Sequence, residues 1–526
     1  MKLLSFSVYV FLTNAIAQAA LVEFNVISPQ SKIVQVKVGD ILTTLTPVSP
    51  TVPLYTGSVE IGEETAYKYL ADSEEEEFVR TLPSETSRTM NEFFGRPITY
   101  ANIPVLPRPL DNGKEWTRAD KEPDLFDTNY IPTIIVNGRE SDMERLVETV
   151  PKKKFRVELT IIAKDYYRTF KNVKFSITGA GKPDNPAKQS WRWTFAKGDT
   201  INHRNNFKIR HMEEDPTQMR EKLYADCLRA MGTYANQANM VRLFINGEGY
   251  GTFNMLDDIP KYSYINANFY GGHPPDQLGP LYNGATGAGF QLLDEDEYTM
   301  FKVTKGSPED ESAIRSLAEA FEELDLMDDV AVDKFDREVF DIDQFLRFMV
   351  MEYLAGHWDG YWMMQTNDGA YKDYTENGRW YYLGHDYDAT FGVNLETDVM
   401  NYSYRDYPKL YPTAVFINGF LKNPRLRARF ESYMIDTVKV LFNKRVLSER
   451  VWAYYQFIAP DLEWDSTIEQ RSPGKHFGWF FKQARENLYK GVTSPGAGGG
   501  GADYGLIDWV EKKSNFVAKD LNFSFQ

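Results

Sequence analysis

The stretch Arg379–Gly392, RWYYLGHDYDATFG, decides how this chain is read. Its apolar start, Trp380 to Leu383, predicts a short strand, and the polar residues that follow predict the point where the chain leaves the core. In an extended chain, residues two apart point the same way, so Asp386 and Asp388 would present two carboxylates on one side. Paired carboxylate oxygens at a strand end suit a hard cation such as Mg²⁺. Aspartates also form ordinary turns, so the stretch acquires meaning only from what stands before it.

A second acidic cluster, HWDGY at His357 to Tyr361, follows a predicted helix in which Phe345, Phe348, Met349, Glu352 and Tyr353 recur at helical spacing ahead of Gly356. Those aromatics are core. Upstream, MVRLFINGEGYGTFNML predicts two strands turning at Asn246-Gly247, and Asp215-Pro216 predicts the start of a helix with an apolar stripe at Met219, Leu223, Cys227 and Ala230, closed by Gly232. FRVELTIIA and VKFSITGAG predict strands, with a glycine turn at Gly179-Ala180-Gly181. In KQSWRWTF, read as a strand, Gln189, Trp191, Trp193 and Phe195 share one face, and Lys188, Ser190, Arg192 and Thr194 the other. GATGAG, in the Gly- and Pro-rich insert 271–289, is not followed by Lys-Ser or Lys-Thr and is no phosphate loop.

Further out, LVEFNVI, KIVQVKVG and TAYKYLA predict a small N-terminal β-sandwich, in which the acidic run Asp72 and Glu74 to Glu77 is a solvated segment. A Pro-, Asp- and Lys-rich connection runs from Pro104 to Asp127. The segments 423–458 and 474–490 read as helical. Lys2, the apolar run Leu3 to Leu12 and the small residues Ala15, Ala17 and Ala19 predict a secretory signal over 1–19. The expected organisation is a signal (1–19), a β-sandwich-like domain (20–130), an α+β domain (131–460), and a C-terminal helical segment with a Gly-rich tail (461–526).

Composition bounds the function. With 526 residues and 42% hydrophobic content, the chain can build real cores and is neither disordered nor collagen-like. A net charge of −16 argues against a general nucleic-acid binder, and no later stretch predicts a membrane span. One cysteine, Cys227, cannot form an internal disulfide and is expected to pack in the core. Asn401-Tyr402-Ser403 and Asn522-Phe523-Ser524 are formal glycosylation sequons.

The order of parts is a glycine turn, a lysine, a helix with acidic residues, a hairpin, a long helix and two aspartate segments. Phosphoryl transfer uses such parts, because it needs a clamp on the phosphates, a metal-holding carboxylate and a carboxylate near the attacking hydroxyl. With FSITGAG, NPAKQSWRW, DPTQMREKLYADCLRAMG, VRLFINGEGYGTFNMLDDI, HWDGYWMMQTNDGAYKD and RWYYLGHDYDATFG, the chain resembles the CotH (spore coat protein H) family of atypical secretory protein kinases over 131–460. The members it looks like are those on the surface of mucoralean fungi.

The resemblance implies an atypical kinase-like fold, with a small sheet-rich lobe and a larger helical lobe. It implies Lys188 as the phosphate-binding lysine, Gly179 and Gly181 as nucleotide-contacting glycines, and Glu221 as the partner of Lys188, with Arg220 as the alternative. It further implies Asp359 as the catalytic carboxylate and Asp386, Asp388 and Asn367 as metal ligands. Met364 stands at the fifth position after Asp359, so Asn367, eight positions on, takes the ligand's place. At the hairpin end, Asp257-Asp258 stand where the family pattern has a glutamate. The implied activity is transfer of the ATP γ-phosphoryl group, with Mg²⁺ or Mn²⁺, to Ser or Thr of extracellular or spore-wall proteins. The alternative is a cell-surface adhesin or invasin that binds a host-cell receptor on the same scaffold without catalysis, through exposed loops such as 271–289 or 363–378.

Overall fold

The computed structural model describes residues 20–62, 65–83, 85–121, 124–178, 186–496 and 500–526. The signal expected over 1–19 and the glycine turn with Gly179 and Gly181 lie outside the described residues. The chain forms two compact units: the described residues up to Thr99 together with Lys164–Tyr166, and Tyr100–Ala163 with Tyr167–Gln526. The first unit thus ends some thirty residues before the expected boundary, and the C-terminal segment is part of the second unit.

In the first unit, β1 (Ala20–Ile27), β2 (Val34–Val38), β3 (Ile41–Ser49), β4 (Val52–Ile61), β5 (Ala66–Ala71), β6 (Glu74–Glu75), β7 (Arg80–Thr81) and β8 (Glu92–Phe93) form one hydrogen-bonded sheet. β3 pairs with β2 through its first half and with β4 through its second. Alternate side chains of β1, β2, β4 and β5, among them Val22, Phe24, Val36, Val59 and Tyr69, fill a common core. Not all of the acidic run is solvated. Glu76 is buried and binds Arg80 at 2.7 Å, because Arg80 brings a guanidinium into the same interior.

In the second unit, β9 (Thr133–Asn137), β10 (Phe155–Ile162), β11 (Tyr167–Ile177), β12 (Trp191–Thr194), β13 (Asn206–Arg210), β14 (Ala238–Ile245) and β15 (Glu248–Asp257) close a barrel in the order β10-β11-β12-β13-β15-β14-β9. Asn246 and Gly247, with φ of 48° and 83°, make the two-residue turn between β14 and β15 that their residue types predict. Only Trp191–Thr194 of KQSWRWTF is strand, so Lys188 precedes the sheet. The predicted helix begins at Arg220, five residues after Asp215. Asp215 still serves its start: the buried carboxylate accepts from the backbone N–H groups of Thr217, Met219 and Arg220 at 2.8–2.9 Å. Cys227, on that helix, is free and buried.

A four-stranded sheet, ordered β17-β16-β18-β19, follows the barrel: β16 (Leu281–Gly284), β17 (Phe301–Val303), β18 (Gly369–Asp373) and β19 (Arg379–Tyr382). β16 and β18 fall inside the two stretches expected to be exposed loops. Leu281, Tyr282, Ala370 and Tyr371 are buried, so hydrophobic burial claims segments that their Gly and Pro content marks as loop. The central helix, Ile342–Ala355, is buried all round, which is why its aromatics show so broad an apolar face. The helices Pro424–Val440, Lys444–Ser466 and Leu506–Asp520 complete the mixed α+β unit. Among the described residues, no helix is long and apolar enough to cross a membrane.

Candidate functional site

Two segments bring three carboxylates together beside the barrel. Glu221 stands in the first turn of helix Arg220–Ala230, and Asp386 and Asp388 follow β19. One carboxylate oxygen from each lies within 4.8 Å of the others. The aspartates converge by a turn instead of an extended chain, since Asp386 has φ of 62°. Aspartate is among the few side chains that tolerate this left-handed conformation. Glu221 Oε2 accepts from the Tyr387 N–H at 2.6 Å, which fixes the helix to that turn.

Lys208 and Arg210 face these carboxylates from β13. Lys208 Nζ donates to Asp386 Oδ1 at 3.1 Å, Arg210 Nη1 donates to Asp386 Oδ2 at 3.2 Å, and Arg210 Nη2 donates to Asp388. Burial by itself would raise the Asp386 pKa, but the charges of Arg210 and Lys208 outweigh it and hold the carboxyl well below its ordinary range. Glu221 is the opposite case: burial, reinforced by the charges of Asp388 and Asp386, pushes it up to about 8. Burial and Asp388 also push Glu214 up to about 7. The cluster therefore holds more acid groups than its two cations can neutralise.

Asp359 lies after the central helix. Asn367 Nδ2 donates to its carboxylate and to its backbone oxygen, each at 3.0 Å, and His357 Nε2 lies 3.1 Å from Asp359 Oδ1. Burial would depress His357, but contact with Asp359 overrides it and pushes the imidazole to about 9. Burial raises Asp359 against the pull of His357. His385 N–H donates to the Asn367 carbonyl at 2.9 Å, tying the Asp359 loop to the Asp386 turn. Asn367 thus reaches this region through the longer loop.

Lys188 binds a different carboxylate. Its buried ammonium donates to both oxygens of Asp465, at 2.6 and 2.8 Å, and lies 4.9 Å from the Phe253 ring centroid. Glu221 is bonded to Tyr387 and not to Lys188, and Arg220 is bound to Asp215. Asp257 pairs with Arg204 and Asp258 with Arg192.

Lys208 and Arg210 escaped the sequence reading, although NFKIR carries a usable signal: the alternation of Asn206, Lys208 and Arg210 with Phe207 and Ile209 puts two cations on the polar face of a strand. Asp465 gave no signal, because its partner Lys188 is 277 residues away.

The residues fit a hard divalent cation. All three donors are carboxylates, and Glu221 Oε1 is buried without a hydrogen-bond partner. Both amide atoms of Asn254, across from Arg210 on β15, are likewise buried and unpartnered.

Residues 175–480 match the family described as CotH kinase protein. The chain is 50% identical to "Invasin CotH2" of Rhizopus delemar over 97% of this chain and 85% of that protein. It is also 50% identical to "Spore coat protein homolog 1" of the same fungus, over 100% of this chain and 85% of that one. "Inner spore coat protein H" of Bacillus subtilis is 21% identical over 52% of this chain and 73% of its own length. By this match and these identities, the chain belongs to the CotH family.

Proposed function

We propose that the chain is a secreted phosphotransferase that moves the γ-phosphoryl group of ATP to Ser or Thr hydroxyls of extracellular or spore-wall proteins. The observation that carries this reading is the buried cluster in which Glu221, Asp386 and Asp388 face Lys208 and Arg210. The barrel stands for the small lobe of a kinase-like fold and the helical part for the large one. Asp386 and Asp388, with Glu221, would hold Mg²⁺ or Mn²⁺, with Asn367 next to them; the ion supplies neutralisation of phosphate charge. Lys208 and Arg210 extend from a rigid strand and bind the phosphates as a preorganised clamp. This gives them the part first read onto Lys188, whose charge is taken up by Asp465.

Asp359 orients the acceptor hydroxyl and takes its proton. Its raised pKa makes the carboxylate a better base, and Asn367 and His357 hold it in place.

The second reading is a surface adhesin on the same scaffold, favoured by the invasin names of the Rhizopus relatives. Melting the purified chain with ATP, with Mg²⁺ and with both separates the two. A phosphotransferase is stabilised most when both are present, and a scaffold without a nucleotide site shows no shift.

A further inference from the structure

Arg192 on β12 lies directly across from Lys208 in the barrel register, and it also lines a separate cavity of about 450 Å³. Lys154, Lys261, Lys305 and His203 line the same cavity, and among the described residues no carboxylate does. Arg192 is already bound to Asp258, Nε to Oδ2 at 2.7 Å. The three lysines make no ion pair among the described residues. Burial lowers the Lys261 pKa, and the nearby charge of Asp258 opposes this only in part. In a chain of net charge −16, a cavity lined by Arg192 and three lysines is a local reversal of the overall field.

Two further features agree. Lys261 precedes the helix Tyr262–Tyr270, whose start has no side-chain cap, so its free N–H groups add positive potential. Asn206, buried in the wall, donates through Nδ2 to Thr194 Oγ1 at 2.6 Å, while its Oδ1 has no partner. A peptide here would meet several cations with its acidic side chains, and Asn206 Oδ1 would accept from one of its N–H groups.

We propose that this cavity binds carboxylate or phosphate side chains of an acidic peptide segment and, through the wall shared by Arg192 and Lys208, leads that segment toward Asp359 and Asp386. The cations Lys154, Arg192, Lys261 and Lys305 come from four separate segments of chain, with Lys154 and Lys305 exposed, a spread suited to several acidic side chains in a row. The role in acceptor choice rests on the phosphotransferase reading; the binding does not.

The test is fluorescence anisotropy of a labelled Glu-Glu-Ser-Glu-Glu peptide with the full chain in the absence of nucleotide, beside its Gln counterpart. The acidic peptide is expected to bind at least about tenfold tighter than the Gln peptide. The doubly substituted Lys261→Gln/Lys305→Gln chain should lose about tenfold, whereas Lys171→Gln, on β11 away from the cavity, should stay within about twofold. Equal binding of the two peptides, unchanged binding by the double variant, or displacement of the peptide by Mg-ATP would each overturn the proposal. Stabilisation by Mg-ATP, read on the same preparations, tests the phosphotransferase reading separately. It should survive the lysine substitutions, and its absence would count against that reading while leaving peptide binding as measured.

Discussion

At Asp465, donors from three directions converge on one carboxylate: Lys188 Nζ on both oxygens, Gln218 Nε2 at 2.8 Å and the Thr252 N–H at 2.8 Å. Even the neighbouring glycine is dictated by it, since a Cβ at Gly251, where φ is 99°, would lie 2.0 Å from Asp465 Oδ1. At Asp386 the balance is reversed. Two cations serve Asp386 and Asp388, Glu221 keeps an unpartnered oxygen, and burial pushes its carboxyl up to about 8. Both clusters are buried cation–carboxylate assemblies in one unit, and each contains a lysine that sequence alone would allow as a phosphate clamp. What separates them is saturation. A site whose polar atoms are all satisfied ties elements together, whereas one with surplus acid and an orphan oxygen is incomplete without a ligand.

The largest effect that follows is on activity at the unsaturated cluster. Asp386→Asn keeps the side-chain size and loses the charge, so phosphoryl transfer in the folded protein should fall by at least about a hundredfold, with some loss of melting temperature because Arg210 and Lys208 keep only Asp388 and Glu221 as counter-charge. Autophosphorylation and melting on one preparation check this; full activity in a folded variant would contradict the mechanism.

At the saturated cluster the effect should appear in stability instead. Asp465→Ala leaves the Lys188 ammonium buried without its counter-charge, at a cost on the order of 3–5 kcal/mol in denaturant unfolding. The doubly substituted Lys188→Met/Asp465→Leu chain, which buries no charge there, should recover most of that loss. An Asp465→Ala protein as stable as the parent would show that the network is not the tie described.

A third buried cation sharpens the contrast by a smaller margin. Lys513 donates to the Val399 carbonyl at 3.1 Å and lies 3.9 Å from the Tyr353 ring centroid. Burial pushes it down to about 7, with Asp398 and Asp520 opposing. Its folded-state pKa is below the unfolded value, so between about pH 7 and 10 the unfolded chain binds the extra proton and stability rises with pH. The rise attributable to Lys513 is at most ~1.4 kcal/mol per pH unit. Lys513→Met should lose it, and unfolding of both proteins at pH 7 and pH 9 reads the difference; parallel pH profiles would remove Lys513 as the source.

What the sequence made legible follows from the range of the interactions. The Asn246-Gly247 turn, the helix ahead of HWDGY and the buried Cys227 depend on neighbours a few positions away, and all appear as expected. The sequence points to Asp386 and Asp388 as a pair but assigns Glu221 to Lys188, whereas in the structure Glu221 lies beside the two aspartates. Lys188 shows the limit. Its partner Asp465 is 277 residues away, on a helix no local pattern connects to it. β16 and β18 were hidden for a related reason: a short strand is stabilised by its cross-strand partners, and Gly and Pro around it conceal the apolar pairs that bury it.

In the phosphotransferase proposed here, nucleotide phosphates are held at Lys208 and Arg210 and not at Lys188. Calorimetric titration of a non-hydrolysable ATP analogue with Mg²⁺ into the parent, Lys188→Met and Lys208→Met proteins tests it most directly. Lys208→Met should weaken binding by about tenfold or more, whereas folded Lys188→Met should bind within about threefold of the parent. Parent-like binding by Lys208→Met together with lost binding by folded Lys188→Met would contradict it.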